Sequence, residues 1–214
     1  MNPFPLILSA PSGAGKTTIA RELLARRKDL GYSVSCTTRQ PREGEVQGRD
    51  YTFVSREDFL ARRARNEFAE SAEVHGHLYG TLRSEVERVL ALGRHVVMDI
   101  DVQGARQFRA AFPGAVTVFV LPPSADVLLR RLRERRTENV EQVVARLRSA
   151  LDELRAVEEY KYVVVNDQLD RAVDRVEAII NAETLKRERT AGLREAVERL
   201  SDHLEQEIAA VGSR

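Results

Sequence analysis

The stretch Ser9-Ala10-Pro11-Ser12-Gly13-Ala14-Gly15-Lys16-Thr17-Thr18 follows directly on an apolar run, Phe4 to Leu8, and leads into a segment with helical apolar spacing. Strand, glycine-rich turn and helix in that order form the P-loop arrangement. In it, consecutive backbone N–H groups wrap a β-phosphate, Lys16 reaches the β and γ oxygens, and the Thr17 hydroxyl goes to Mg²⁺. Glycine at 13 and 15 lets the backbone turn its amides inward with no Cβ in the way. The first turn of the following helix adds unpaired N–H groups and the positive end of its dipole. Ala10 stands where the pattern has its first glycine, a position that mainly ends the strand and tolerates a methyl. Ala10, Pro11, Ser12, Gly13, Ala14, Gly15, Lys16, Thr17 and Thr18 are therefore the candidate phosphate-binding residues, with Thr17 the candidate metal ligand.

The rest of the chain alternates short β-rich apolar runs with helical patterns. Thr17 to Arg27 reads as a helix through Ile19, Ala20, Leu23 and Leu24, Gly31 ends the connection, and a strand is expected from Tyr32 to Ser35. After an interruption, strands are expected at His95 to Ile100, Thr117 to Leu121 and Tyr162 to Val165. Helices are expected from Val102 to Phe112, after the Ser124 cap, from Val140 to Val157, and from Leu169 onward. Such alternation argues an α/β parallel sheet covered on both faces. A ligand then belongs at the carboxyl ends of the strands, where the glycine-rich turn, Ser35, Asp99 and Asn166 fall.

The interruption has a different grain. Cys36 to Gly48 is polar, with Gly and Pro and little apolar periodicity. Tyr51 to Val54 and Phe68 to Val74 read as short strands, Ser55-Arg56-Glu57-Asp58 as the capped start of a helix to about Arg65, and Ser84 to Leu92 as a second helix. This is a small mixed α+β insertion over residues 36–92.

Three constellations carry charge in patterns suited to phosphate. Arg39-Gln40-Pro41-Arg42 with Tyr51 sets two arginines in a proline-pinned turn, where they can hold one phosphate from two directions; a solvated basic loop is the bland alternative. Asp99 and Asp101 end a strand but alternate in direction, so at most one faces the phosphates, and Asp101 is placed to cap the next helix. Arg130, Arg131, Arg133, Arg135 and Arg136, followed by Arg146 and Arg148, put like charges at helical spacing, as in a lid awaiting polyphosphate; pairing with Glu134, Glu138 and Glu141 is the alternative. His75 and His77 lack a third ligand at suitable spacing, and both read as structural.

The near-balanced charge, +1 overall, gives no support to a nucleic-acid or membrane-surface role. The lone Cys36 excludes an intrachain disulfide. With no signal-peptide pattern or long apolar run, the expected location is cytoplasmic.

In order and spacing, Ser9 to Thr17, Ser35-Cys36-Thr37-Thr38-Arg39-Gln40-Pro41-Arg42, Gly44 to Tyr51, Phe68-Ala69-Glu70, Tyr79-Gly80-Thr81, Asp99 to Gly104 and Val165-Asn166-Asp167 resemble the guanylate kinase family over about residues 5–185. The resemblance implies a three-layer P-loop NTPase fold. Its core would comprise residues 1–35, 93–123 and 158–189, with a GMP-binding domain at 36–92, a helical lid at 124–157 and a C-terminal helix at 190–214. It implies Mg²⁺-dependent transfer of phosphate from ATP to GMP. Arg39, Arg42, Tyr51 and Tyr79 would grip the GMP phosphate, and Ser35, Glu70 and Thr81, with Gly80 between the last pair, would read guanine. Asp99 would lie beside the transferring group and Asn166 near the adenine. Lys16, Arg39, Arg42 and Asp99 with the lid arginines Arg131, Arg135 and Arg146 make the implied catalytic set. Arg136 departs from the glycine often found there.

Two other readings stay open on sequence: a P-loop kinase for another nucleotide or a sugar phosphate, and a non-catalytic interaction module on the same fold. Glu70 argues against the first and the intact Lys16 and Thr17 against the second. Beyond the resemblance, Leu193, Val197, Leu200, Leu204, Ile208 and Val211 recur at steps of three and four on a charged helix. That stripe either folds onto the chain's own core or pairs with a second copy, and a homo-oligomer is the expectation.

Overall fold

A computed structural model describes residues 2–74, 76–133 and 140–212. Nine strands and eight α-helices occur among them. The strands are β1 (Pro5–Ser9), β2 (Leu30–Tyr32), β3 (Cys36–Thr37), β4 (Thr52–Phe53), β5 (Phe68–Val74), β6 (His77–Leu82), β7 (His95–Asp99), β8 (Val116–Leu121) and β9 (Tyr162–Val165). The helices are α1 (Lys16–Arg26), α2 (Arg56–Ala64), α3 (Arg83–Ala91), α4 (Val102–Ala111), α5 (Ala125–Arg133), α6 (Val140–Arg155), α7 (Leu169–Thr184) and α8 (Leu193–Gly212). No helix among the described residues is long and apolar enough to cross a membrane.

A five-stranded sheet, wholly parallel, runs β2-β7-β1-β8-β9. Because successive side chains on a strand point to opposite faces, β1 feeds two cores. Leu6 and Leu8 pack with Ile19 and Leu23 of α1 and with Val173, Val176 and Ile180 of α7. Ile7 points the other way, to Val86 and Val89 of α3 and Ala105 and Phe108 of α4. These are the three layers expected of the alternating pattern. β1 and β7 lie side by side, Leu8 opposite Asp99, so the turn after β1 and the acid ending β7 share one edge of the sheet.

The second sheet, β4-β3-β6-β5, is smaller and mixed. Its core is Cys36, Phe59, Phe68 and Leu78, with the Phe59 and Phe68 rings stacked at 4.3 Å. Cys36 is fully buried, and burial pushes its thiol pKa up, the condition of an inert structural cysteine. The Ser55 hydroxyl accepts from the Asp58 N–H at 3.0 Å and starts α2 as the sequence predicts.

Two expectations need correction, and one alternative left open by the sequence is decided. The strand expected at Tyr32 to Ser35 lies earlier, at Leu30–Tyr32, and Gly31 is inside it rather than ending the connection before it. The reason is packing: a Cβ on Gly31 would sit 2.4 Å from Val89 Cγ1, so α3 closes on that edge only over a glycine. Cys36–Thr37, read as the start of a polar loop, is the strand β3, held by long-range pairing to β4 and β6. Finally, the stripe on α8 does not fold onto the chain's own core: Leu200, Leu204, Ile208 and Val211 are 61–72% exposed. His77 is exposed, and His75 lies outside the described residues.

Gly80, in the central strand β6, offers a test of this packing. A Cβ there would lie 2.9 Å from the Glu70 carbonyl oxygen and 2.9 Å from Phe68 Cδ1. Gly80→Ala is expected to lower unfolding free energy by about 1–3 kcal/mol in urea titrations. Gly114→Ala, which meets nothing within 4 Å, is expected to stay within about 0.5 kcal/mol.

Candidate active site

Between β1 and α1 the chain turns through Gly13 (φ 86°) and Gly15 (φ 93°), left-handed conformations that glycine adopts without strain. Gly15 is required twice over, because a Cβ there would collide with Asn166 Nδ2 at 2.4 Å. That same Nδ2 donates to the Ala14 carbonyl oxygen at 2.8 Å, so the buried Asn166, just past β9, braces the loop from beneath. Ala10 is buried in the main core, consistent with a position that ends a strand. From α5, Arg131 Nη1 donates to the Gly13 carbonyl oxygen at 3.2 Å.

A cleft of about 690 Å³ opens over this loop, lined by Pro11 to Gly13, Gly15 to Thr18, Arg131, Glu153, Asn166 and Asp167. Thr17 Oγ1 donates to Asp99 Oδ2 at 2.6 Å, joining the start of α1 to the end of β7. Asp101 is spent otherwise: it caps α4, accepting from the Gly104 N–H at 2.7 Å. Of the two acids, Asp99 therefore bonds the loop and Asp101 the helix, but alternation is not the reason. Residues two apart on a strand share a face, β7 ends at Asp99, and both acids border the cleft that holds Glu70, against the expectation that they point in opposite directions.

A second cleft, about 280 Å³, lies on the far side of Asp99. Lys16 lines this one too, with Tyr32, Ser35, Tyr51, Glu70, Tyr79, Gly80, Asp99 and Asp101. Its floor is a hydrogen-bonded relay. Thr81 Oγ1 donates to Glu70 Oε1 at 2.7 Å and lies 3.2 Å from Ser35 Oγ. Glu70 is only 8% exposed, and burial raises its carboxyl pKa above the ordinary range, partly opposed by the Thr81 hydrogen bond. The α4 backbone comes close here, since a Cβ on Gly104 would stand 3.2 Å from Glu70 Oε2.

At the mouth, Arg39 is held rather than solvated. Its Nη2 donates to Glu45 Oε1 at 2.8 Å, and its guanidinium lies 5.4 Å from the Tyr51 ring centre and 5.8 Å from that of Phe53. The other Glu45 oxygen accepts from the Arg42 N–H at 2.8 Å, so one carboxylate ties both arginines of the turn together. Tyr51 and Tyr79 meet edge to face at 6.0 Å. Burial pushes Tyr51 upward and Tyr32 up to about 12, so both hydroxyls stay protonated donors at neutral pH.

Ser35, Tyr51, Glu70, Tyr79, Gly80 and Asp99 thus line one cleft with Lys16, with Thr81 bonded to Glu70 and Arg39 packed on Tyr51, while Arg42 is exposed and joins only through its backbone N–H to Glu45. The glycine-rich loop, Arg131 and Asn166 line the other cleft. Arg135 and Arg136 lie outside the described residues, as does the side chain of Arg146. Three contributors escaped sequence reasoning. Glu45 sits in a polar loop with no periodic signal. Tyr32 was assigned to a strand alone. Glu153 of α6, whose Oε2 accepts from the Ser12 N–H at 3.2 Å, looks in sequence like any acid on a charged helix.

The buried Glu70 carboxylate has a thermodynamic signature. Because its native pKa is raised, the native state takes up a proton more readily than the unfolded chain, so this residue's contribution to stability is greatest at low pH and is lost as pH rises through the raised value. Without nucleotide, Glu70→Gln is expected to raise Tm by a few degrees at pH 7–8 and to flatten that part of the stability–pH curve. Thermal melts between pH 4 and 8 check this; an unchanged or lower Tm at pH 8 would contradict it.

A family model described as guanylate kinase matches residues 2–183. The guanylate kinase of Nitrosospira multiformis is 49% identical over 180 residues, 84% of this chain and 86% of the relative. That of Paramagnetospirillum magneticum is 50% identical over 196 residues, 91% and 92% of the two chains. The crystal structure of guanylate kinase from Anaplasma phagocytophilum superposes with a TM-score of 0.73 at 37% identity, covering 92% of this chain and 94% of that one. With the loop, the two clefts and the match over nearly the whole fold taken together, the chain belongs to the guanylate kinase family.

Proposed function

We propose that the chain transfers the γ-phosphoryl group of ATP to GMP, giving ADP and GDP, with the donor in the larger cleft and the acceptor in the smaller. The observation that carries this reading is that Lys16 lines both clefts, with Thr17 and Asp99 hydrogen-bonded beside it. Two anionic substrates placed there meet end to end across one cation. In domain terms, the parallel sheet is the core, residues 36–92 the GMP-binding unit and 124–157 the lid.

Phosphoryl transfer asks the protein for position and for positive charge around the transferring oxygens. Arg39 and Arg42 neutralise the acceptor phosphate, and the Tyr51 and Tyr79 hydroxyls donate to it. Glu70, Thr81 and Ser35 accept from and orient the base. Lys16 and the loop amides hold the donor's β and γ oxygens, and Arg131, with Arg135 and Arg146, adds charge from the lid. Thr17 and Asp99 present hard oxygen donors at the loop, the donor chemistry that fits Mg²⁺. Bound there, Mg²⁺ would neutralise charge on the phosphates. Closure of α5 and α6 over the cleft would exclude water that could otherwise take the phosphoryl group.

A coupled ADP-release assay across GMP, AMP, CMP and UMP tests the proposal. The expected result is metal-dependent turnover with GMP far above the others; no GDP from folded protein would refute it. Arg39→Ala is expected to reduce kcat/KM about 10²-fold, with the slow AMP reaction impaired by a similar factor, because a phosphate contact carries no base information. A loss confined to GMP would contradict that role.

A further inference from the structure

The family match ends at residue 183, yet the chain remains pinned to the body for six more residues. Asn2 N–H donates to the Arg189 carbonyl oxygen at 3.0 Å. The Arg189 guanidinium donates to the Gly114 carbonyl oxygen at 2.8 Å, lies 4.3 Å from the Phe4 ring centre and pairs with the buried Glu183. Gly192, at φ 67°, then turns the chain into α8. From Val197 to Val211 every residue of that helix is exposed. A 20-residue helix is about 30 Å long, and one standing alone in water is marginal, since helices in proteins draw most of their stability from a buried face.

From this we infer that α8 pairs with α8 of a second copy of the chain, antiparallel, to make a homodimer outside the catalytic fold. The apolar stripe takes five steps over the 18 residues from Leu193 to Val211, an average of 3.6, which is the period of a straight helix rather than the 3.5 of a supercoil. The pattern is close to self-complementary about residue 202. Reversed on itself, it sets Leu193 opposite Val211 and Leu200 opposite Leu204, the relation a two-fold interface demands.

Charge beside the stripe selects the direction. Arg194, Ser201 and Glu205 flank it on one side, Ala196, His203 and Glu207 on the other. Antiparallel pairing brings like flanks together, with Arg194 of each copy about 7.5 Å along the axis from Glu205 of the other, twice, and the two Glu205 about 9 Å from each other, once. Parallel pairing opposes Glu205 to Glu207 at nearly the same height, an unfavourable contact made twice, and sets Arg194 against Ala196. The surrounding acids Glu195, Glu198 and Asp202 point away from the stripe and keep the outer face solvated.

Light scattering and sedimentation equilibrium of the full chain, from 1 to 100 µM, test the inference. The expected mass is twice the 24.1 kDa of one chain, falling to 24.1 kDa in the L200E/L204E variant, with an unchanged cooperative urea-unfolding transition as proof that the body is folded. Glu205→Arg is expected to raise the dimer dissociation constant about fivefold, and adding Arg194→Glu in the same chain to restore it. A wild-type chain of single mass at 100 µM, or an L200E/L204E variant that keeps the wild-type mass, overturns the pairing. Failure of the second charge change to rescue the first overturns the antiparallel arrangement. None of these outcomes depends on which nucleotide the enzyme prefers.

Discussion

Lys16→Ala is expected to lower kcat by at least about 10²- to 10³-fold while leaving the fold intact. Lys16 borders the cleft of the glycine-rich loop and also the cleft that holds Glu70 and Tyr79, so its ammonium stands where donor and acceptor phosphates must meet. A single cation shared by two anions relieves their mutual repulsion most when they are closest, which is in the transition state, so the loss falls on kcat more than on either KM. The residue opens α1 at its first turn, and the apolar face anchoring that helix, Ile19, Ala20 and Leu23, is untouched by the change. Unfolding free energy is therefore expected to move by no more than about 0.5 kcal/mol. Steady-state kinetics with both substrates varied, beside a urea titration, separate the two effects. A variant with kcat within tenfold of the parent would mean that the two clefts are not joined by this side chain.

Glu70→Ala is expected to reduce kcat/KM for GMP by about 10²- to 10³-fold and to change the AMP reaction hardly at all. The carboxylate is buried, and one oxygen accepts a hydrogen bond from the Thr81 hydroxyl while the other faces the narrow gap over Gly104. Guanine presents an N1–H and an exocyclic amine that would satisfy it with charge-assisted hydrogen bonds. Adenine presents an acceptor at N1, which leaves the carboxylate desolvated and facing a lone pair. A site that must bond a particular donor can reject an analogue lacking it by as much as about 10⁴-fold. Glu70→Gln keeps the shape but offers an amide in place of the charge, so its GMP efficiency is expected to fall between parent and alanine variant even as its stability without nucleotide rises. Measuring kcat/KM for both nucleotides in all three proteins tests this. Equal losses for GMP and AMP in Glu70→Ala would show that the residue does not read the base.

Much of this was legible before any coordinates. The P-loop could be read because its chemistry is local: glycine where φ must be positive, lysine and threonine at fixed offsets, an apolar run before and a helical period after. The same holds for the Ser55 and Asp101 caps, whose side chains bond backbone N–H groups three residues on. The strands buried on both faces, such as Val116–Leu121, announced themselves as short β-rich runs, there apolar but for Thr117. What only the tertiary structure decided are relations between segments far apart in sequence. Thr17 meets Asp99 across 82 residues because β1 and β7 are neighbours in the sheet, a strand order that no single strand encodes. Gly31 is in a strand and not a turn because Val89 of α3 lies on it, and Cys36–Thr37 is a strand because β4 and β6 supply its hydrogen bonds. Glu45 and Glu153 are ordinary acids until the fold delivers them to Arg39 and to the Ser12 amide. The stripe on α8 was visible as a period, but a period says only that a face must be covered. That the chain's own core leaves it bare follows from where the body ends, at the docked Arg189, and from the turn at Gly192 that carries the helix away.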